Sequence, residues 1–331
     1  MCPHFFLRNE VFKMPNIKEI AKLAGVSVTT VSRVLNNHPY VAEEKRARVQ
    51  AVIDELDYSP NRSAMDLARG KTNTVGVIIP YNDHPWFDKI VNGILEVAFK
   101  NRYSVTLFPT GYDPKEEEKY LMRLKTKQVD GLIITSRANN WDVILPYLAY
   151  GPIIACEYVE SKEVSCSYID RVKAYRAGFQ FLEDEGYKKV AFTAGRASRE
   201  STSTYGKINA YEQVFGSVGD NRFLSECYTL EDGLKAGEHF FAEGKDWPDA
   251  IYANGDEVAA GVMYHVKKLG LRVPEDVAIL GQENLPIGKV LEITTLDHNL
   301  KKLGENAFTI FEQGKLQRIK VEHELIRRKT V

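Results

Sequence analysis

The 331-residue chain predicts a small all-α head carrying a helix-turn-helix, joined to an α/β body of two doubly wound parallel-sheet lobes. Two short helical patterns meet at Gly25 within residues 16–36, and a Ser59-Pro60-Asn61 break follows a third helix. From residue 73 onward, apolar runs of strand length alternate with amphipathic helical segments. A composition of 44% hydrophobic and 27% charged residues fits a globular chain long enough for one small domain plus a two-lobed body.

The head is expected over residues 14–58. Asn16 can cap a first helix, with Glu19 reaching back to complete a capping box. Ile20, Ala21 and Ala24 recur at helical spacing, and Gly25 stands where a left-handed residue ends the helix. Ser27 then caps a second helix whose buried stripe is Val31, Val34 and Leu35. A third, from Glu43 to Leu56, closes the core with Val49, Val52, Ile53 and Leu56. With that stripe inward, Val28, Thr29, Ser32 and Arg33 face out near the start of the second helix, the end that enters a DNA major groove in this arrangement. Arg33 can read a guanine edge, and Val28 or Thr29 can meet a thymine methyl. Ser27, Thr30, Ser32 and Asn36 are short donors suited to phosphates, and Tyr40 joins the set. A plain three-helix bundle with a solvated face accounts for any one of these residues, but poorly for the constellation. Residues 1–13 read as a disordered, dispensable extension, and 59–72 as a hinge in which Asn61 caps a short helix from Arg62 to Arg69.

In the body (73–331), TVGVIIP (74–80), YSVTLFP (103–109), DGLIIT (130–135) and PIIACE (152–157) form a first strand set. KVAFTAG (189–195), DAIYAN (249–254) and DVAILG (276–281) form a second, with SECYTL (225–230) a weaker member. Helical patterns over 87–101, 115–127, 173–185 and 258–269 intervene. Ligands bind such sheets beyond the carboxyl ends of strands. The strand-end segments are therefore the candidates: 81–87, 136–141, 157, 196–207, 254–257 and 282–284. They supply the aromatics Trp86, Phe87, Trp141 and Tyr205, and the polar residues Asp83, Ser136, Arg137, Glu157, Lys207, Asn254, Asp256, Gln282, Glu283 and Asn284. Rings that stack on apolar sugar faces, mixed with convergent hydrogen-bonding groups, suit a small sugar. For each polar residue singly, a capping or turn role is an equal expectation.

Charge alone does not point to nucleic acid, since the net formal charge is −1. Residues 14–71 carry nine lysines and arginines against seven acids, a weakly basic stretch before an acidic body. No apolar run approaches the roughly 18 residues of a membrane span. Cys2, Cys156, Cys166 and Cys227 have no metal-ligand spacing and read as free thiols of a cytoplasmic chain. Neither a P-loop, a dinucleotide-binding glycine loop, a metal-ligating histidine pair nor a nucleophile elbow is present, so no enzyme, metal or cofactor is expected. Asp256 and Glu283 are the one carboxylate pair worth an assay for sugar hydrolysis.

AGVSVTTVSRVLN and the later YSPNRSAMDLARGKT resemble the lactose repressor/galactose repressor family of bacterial transcription regulators, and the likeness runs from Asn16 to the C-terminus. It implies a periplasmic-binding-protein-like body whose chain crosses between its lobes three times. One lobe then spans about 73–170 plus 298–331 and the other about 171–297. The resemblance makes Val28, Thr29 and Arg33 the base readers. It makes Asn61, Arg62, Ala64 and Leu67 a hinge ordered on the minor groove, with Leu67 as the inserted wedge. It places Lys207 where relatives grip an effector and Asp256 at a family aspartate, with Glu283-Asn284 replacing a usual aspartate pair. Ala42 and Met65 depart from the family at the third helix start and the hinge. A palindromic operator, a homodimer and a sugar effector follow as implied partners, with no membrane. The chain shows no appended heptads after Arg327, which favours a dimer over a tetramer. DHPWFDKIVNGI, DGLIITSRANNWD and YANGDEVAAG resemble maltose- and maltodextrin-linked members of bacilli, implying a repressor that answers maltose or another α-glucoside. The alternatives are a carbon-catabolite-type regulator answering a phosphorylated protein or metabolite, and a sugar-binding protein with no DNA role.

Overall fold

Asn16 Oδ1 accepts the backbone N–H groups of Lys18 and Glu19 at 3.0 and 3.2 Å, while Glu19 Oε2 accepts that of Asn16 at 2.9 Å. This capping box starts α1 (Ile17–Leu23), which ends at Ala24 before Gly25 turns left-handed at φ +62°. Ser27 Oγ accepts the Thr30 N–H at 3.2 Å and starts α2 (Val28–Leu35). Helix α3 (Glu43–Glu55) begins at Ala42 without a side-chain cap. Ile20, Val31 and Val49 are fully buried between the three helices, with Leu35, Val52, Ile53 and Leu56 packed around them.

The computed structural model describes residues 15–59, 70–196 and 201–331. It divides into two compact units, Met1–Thr72 and Asn73–Val331. The extension 1–13 and the hinge positions Asn61, Arg62, Ala64, Met65 and Leu67 lie outside the described residues.

In the body, the first sheet collects β1 (Thr74–Ile79), α4 (Pro85–Lys100), β2 (Ser104–Pro109), α5 (Pro114–Lys125), β3 (Gly131–Ile134), a short α6 (Trp141–Ile144), β4 (Ile153–Ala155) and β5 (Ser165–Ile169). The chain then crosses to a second sheet through α7 (Arg171–Asp184), β6 (Val190–Thr193), α8 (Thr202–Phe215), β7 (Phe223–Leu224), α9 (Leu230–Phe240), β8 (Ala250–Tyr252), α10 (Asp256–Lys268), β9 (Ala278–Gln282), α11 (Pro286–Val290) and β10 (Thr294–Asp297). It returns with α12 (Leu300–Gln313) and β11 (Arg318–Val321), and crosses a third time to β12 (Glu324–Ile326). The strand orders are β11-β5-β4-β3-β1-β2 and β12-β10-β9-β8-β6-β7, parallel except where β12 meets β10.

That last pairing corrects the expectation that residues 298–331 return wholly to the first lobe. The final residues belong to the second, where Thr330 Oγ1 donates to the Ile279 carbonyl at 2.6 Å. SECYTL is no strand either: Glu226, at φ +62°, breaks the extended run, and only Phe223–Leu224 pairs.

Side chains alternate across the strands, and both faces are covered. Val75, Val77 and Ile79 pack against Ile90, Ile94 and Phe308 of α4 and α12, while Ile78 points the other way to Leu121, Leu124 and Leu132. Helices α4 and α12 cross at reciprocal glycines. A Cβ on Gly93 would stand 2.1 Å from the Lys301 carbonyl oxygen, and one on Gly304 would stand 2.0 Å from that of Ile90. In each sheet the strand order reverses beside one strand, at β1 in the first and β6 in the second. Such a reversal splays the adjacent loops apart and opens a crevice at the carboxyl ends.

Candidate DNA-contact face and ligand cleft

On α2 the buried stripe forces the remaining side chains outward. Val28 is 42% exposed, and Thr29 and Arg33 are exposed beside it. The Arg33 guanidinium has no hydrogen-bond acceptor among the described residues, so its five donors remain available. Ser27, Thr30 and Asn36 turn back onto the helix: Ser27 Oγ and Thr30 Oγ1 lie 2.9 Å apart, and Asn36 Nδ2 donates to the Ser32 carbonyl at 2.8 Å. Ser32 is partly buried. Tyr40 projects from the loop after α2, 84% exposed, with its ring tilted against His38.

In the body, the crevices at β1 and β6 face one another and form a cleft of about 890 Å³, part of it open to solvent. The first lobe contributes Tyr81, His84, Trp86, Phe87, Tyr112 and Ser136. The second contributes Arg171, Tyr175, Arg196, Ser201, Ser203, Tyr228, Asn254, Glu257, Gln282 and Glu283. His84 caps α4 by accepting the Trp86 N–H at Nδ1, which fixes the turn that brings Trp86 and Phe87 to the wall. Burial of His84 lowers its pKa below the usual histidine range.

The cleft floor is a buried polar layer. Lys207 is 1% exposed; its Nζ donates to Gln282 Oε1 at 2.8 Å and stands 4.0 Å over the Tyr252 ring. Burial drives its pKa well below that of a free amine. Glu283 Oε1 lies 2.8 Å from His298 Nδ1. Glu283 Oε2 is buried with no hydrogen-bond partner among the described residues, as is His298 Nε2. An unanswered buried carboxylate oxygen costs free energy until a donor arrives.

The loop that presents Glu283 is held from three sides. Glu283 and Asn284 take positive φ, +83° and +50°. Lys89 Nζ, from the first lobe, donates to the Glu283 carbonyl. Arg328 donates to Asn284 Oδ1 at 2.6 Å, and Asp256 accepts the Leu285 N–H at 2.6 Å and the Thr295 hydroxyl at 2.7 Å. Burial raises the Asp256 carboxyl to about 7 despite those bonds.

Of the fourteen expected ligand contacts, Trp86, Phe87, Ser136, Asn254, Gln282 and Glu283 line the cleft. The other eight lie outside that lining. Asp256 and Asn284 are consumed in holding the loop, and Lys207 lies beneath the floor. Arg137 and Glu157 face away and pair with each other at 2.6 Å beside Trp141, because β4 lies on the far side of β3 from the order reversal. Asp83 and Tyr205 are exposed outside the lining. Tyr112, Arg171, Tyr175 and Tyr228 were not anticipated. Tyr112 was within reach of the strand-end rule, three residues beyond β2. Tyr228 was hidden by the mistaken strand, and Arg171 and Tyr175 sit on a helix that follows a lobe crossing.

Two sequence profiles match the chain: "Bacterial regulatory proteins, lacI family" over residues 16–61, and "Periplasmic binding proteins and sugar binding domain of LacI family" over residues 72–329. Catabolite control protein B of Bacillus subtilis (strain 168) is 53% identical over 94% of this chain and 98% of its own length. The NTD biosynthesis operon regulator NtdR of the same strain is 41% identical, covering 89% and 91%. The fold matches the crystal structure of the Lac repressor dimer bound to operator and the anti-inducer ONPF with TM-score 0.79 at 22% identity, over 96% of this chain and 99% of that one. With a helix-turn-helix head, a two-lobed body and both profiles in register with them, the chain belongs to the LacI family of DNA-binding bacterial transcription regulators.

Proposed function

We propose that two copies of this chain bind a palindromic operator, each laying α2 in the major groove, and that a small polyhydroxylated ligand in the cleft sets operator affinity. Val28, Thr29 and Arg33 read base edges in this scheme, Tyr40 and the α2 start approach phosphates, and Asn61, Arg62, Ala64 and Leu67 meet the minor groove. The observation that carries the ligand half is the unanswered Glu283 Oε2 at the floor of an aromatic-walled cleft, which calls for a hydroxyl donor. Maltose or another α-glucoside is the effector to test first, on the likeness to maltose-linked regulators, and repression is the expected sense of control.

Fluorescence anisotropy at fixed salt, with a palindrome from upstream of the gene, tests both halves. Arg33→Ala removes preference for operator over scrambled DNA while cleft binding stays intact. Maltose, maltotriose, glucose, sucrose and ribose are then compared. A ligand that prefers the DNA-free form releases operator by its differential affinity and no more. Trp86→Ala weakens cleft binding and leaves ligand-free operator affinity unchanged. Equal operator preference in Arg33→Ala overturns the base-reading assignment.

The 53% identity to catabolite control protein B favours a second reading, control by a phosphorylated protein or metabolite in carbon-catabolite regulation. Tight operator binding that no neutral sugar alters, but a phosphorylated compound does, decides for it.

A further inference from the structure

We infer that the cleft ligand is a polyhydroxylated molecule bearing an anionic group, a phosphate or carboxylate, received by the guanidinium groups of Arg171 and Arg196. This rests on reading the cleft as the effector site and names the ligand class.

Both arginines come from the second lobe, Arg171 as the first residue of α7 and Arg196 just beyond β6, and both line the cleft. Each faces a ring of the opposite lobe: Arg171 stands 4.8 Å over Trp86 and Arg196 stands 4.1 Å over Tyr112. Neither guanidinium has a hydrogen-bond acceptor or an ion-pair partner among the described residues. Arg137 and Arg328, by contrast, are engaged, by Glu157 and the Asn139 carbonyl, and by Asn284 and the Ile293 carbonyl.

A ring face satisfies the flat side of a guanidinium and leaves its in-plane N–H fork open. That fork matches a carboxylate or phosphate in a bidentate geometry. Arg171 also stands over Trp86, so a neutral sugar that stacks on that face of the indole must displace a cation. The Glu283 carboxylate lines the same cleft with one buried oxygen unanswered, and Glu257 lines it as well. These acids repel an anion and accept hydroxyls, so the ligand must be two-ended. Its hydroxyls meet Glu283, Asn254 and Gln282, and its charged end meets the arginines. A neutral oligosaccharide answers the first set and leaves the second unmet.

Isothermal titration calorimetry on the full-length protein tests this with glucose, maltose, glucose 6-phosphate, glucuronate and inorganic phosphate. The expected result is that glucose 6-phosphate or glucuronate binds about tenfold or more tightly than glucose, the scale of a charge-assisted contact, with inorganic phosphate weaker than either. The two anionic sugars separate phosphate from carboxylate recognition. In the Arg171→Gln/Arg196→Gln double variant the ratio of anionic to neutral sugar affinity collapses to within about twofold. Glucose or maltose binding as tightly as the anionic sugars overturns the inference and leaves the effector site standing. So does an anionic preference that survives in the double variant. If none of the compounds binds while operator binding is intact, the reading of the cleft as a sugar-effector site fails with it.

Discussion

On α2 of the head, Val28, Thr29 and Arg33 project from the side opposite the hydrophobic core, and among the described residues their side chains make no hydrogen bond or ion pair that holds the fold. Around the cleft, Glu283, Gln282 and Lys207 are tied to one another and to His298 and Tyr252, and the loop carrying Glu283 is held by Asp256, Arg328 and Lys89. On the proposed reading, the first surface can change its specificity one residue at a time at little cost in stability. In the second, the side chains proposed to recognise a ligand also hold the fold, so a substitution there moves both.

The largest effect that could break this contrast is at Asp256. Its carboxylate is wholly buried between Gly281 and Gly288, where a Cβ on either glycine would lie within 2.3 Å of it. Asp256→Ala strands the Leu285 N–H and the Thr295 hydroxyl and is expected to cost roughly 3 kcal/mol in urea unfolding of the body. A loss below about 1 kcal/mol would mean the loop is held elsewhere. The same carboxyl gives a pH signature. Its folded pKa, about 7, lies above the ordinary value. The stability it contributes is therefore fully present below an unfolded pKa of about 3.9 and is lost as pH rises through about 7. Asp256→Asn removes that downward slope, and an unchanged pH profile would count against the buried-acid assignment.

Next in size, Arg33→Ala is expected to lower discrimination between operator and scrambled DNA by roughly tenfold to a hundredfold, with the body's melting unaltered. Loss of body stability in that variant would erase the distinction between the two surfaces. Asn16→Ala, which deletes the α1 cap, should cost about 1 kcal/mol, visible in melting of the head alone. Smallest is Arg137→Ala. Its pair with Glu157 is about a third exposed, at 31% and 32%, so stability should shift by less than about 1 kcal/mol and cleft affinity not at all. A clear drop in ligand affinity would return Arg137 to the site.

The head was legible because its determinants are local. The capping pairs Asn16/Glu19 and Ser27/Thr30 lie three residues apart, and the inward stripe on α2 fixes by subtraction what faces out. The body's two-sheet fold was legible from alternating apolar runs for the same reason. The cleft was less so, because a strand-end position does not say which way a side chain turns. Ser136 enters the cleft while its neighbour Arg137 leaves it, and Asn254 lines the wall while Asp256, two residues on, is buried in the loop scaffold. Glu157 lies away from the cleft for another reason: strand order, which decides which strand ends border the crevice, is set by long-range pairing with no local mark. β12 was missed likewise, since three residues carry no period and only the antiparallel partner β10 makes them a strand.

Under the proposed function, occupancy of the cleft controls the grip on DNA. It is tested most directly by operator anisotropy in the presence of whichever compound calorimetry shows to saturate the cleft, on the wild type and on Glu283→Gln. The expected result is a shift in operator affinity of about fivefold or more in the wild type, within the usual range of coupling between two sites. That shift should be absent in Glu283→Gln at the same ligand concentration. A saturated cleft with unchanged operator affinity would contradict it.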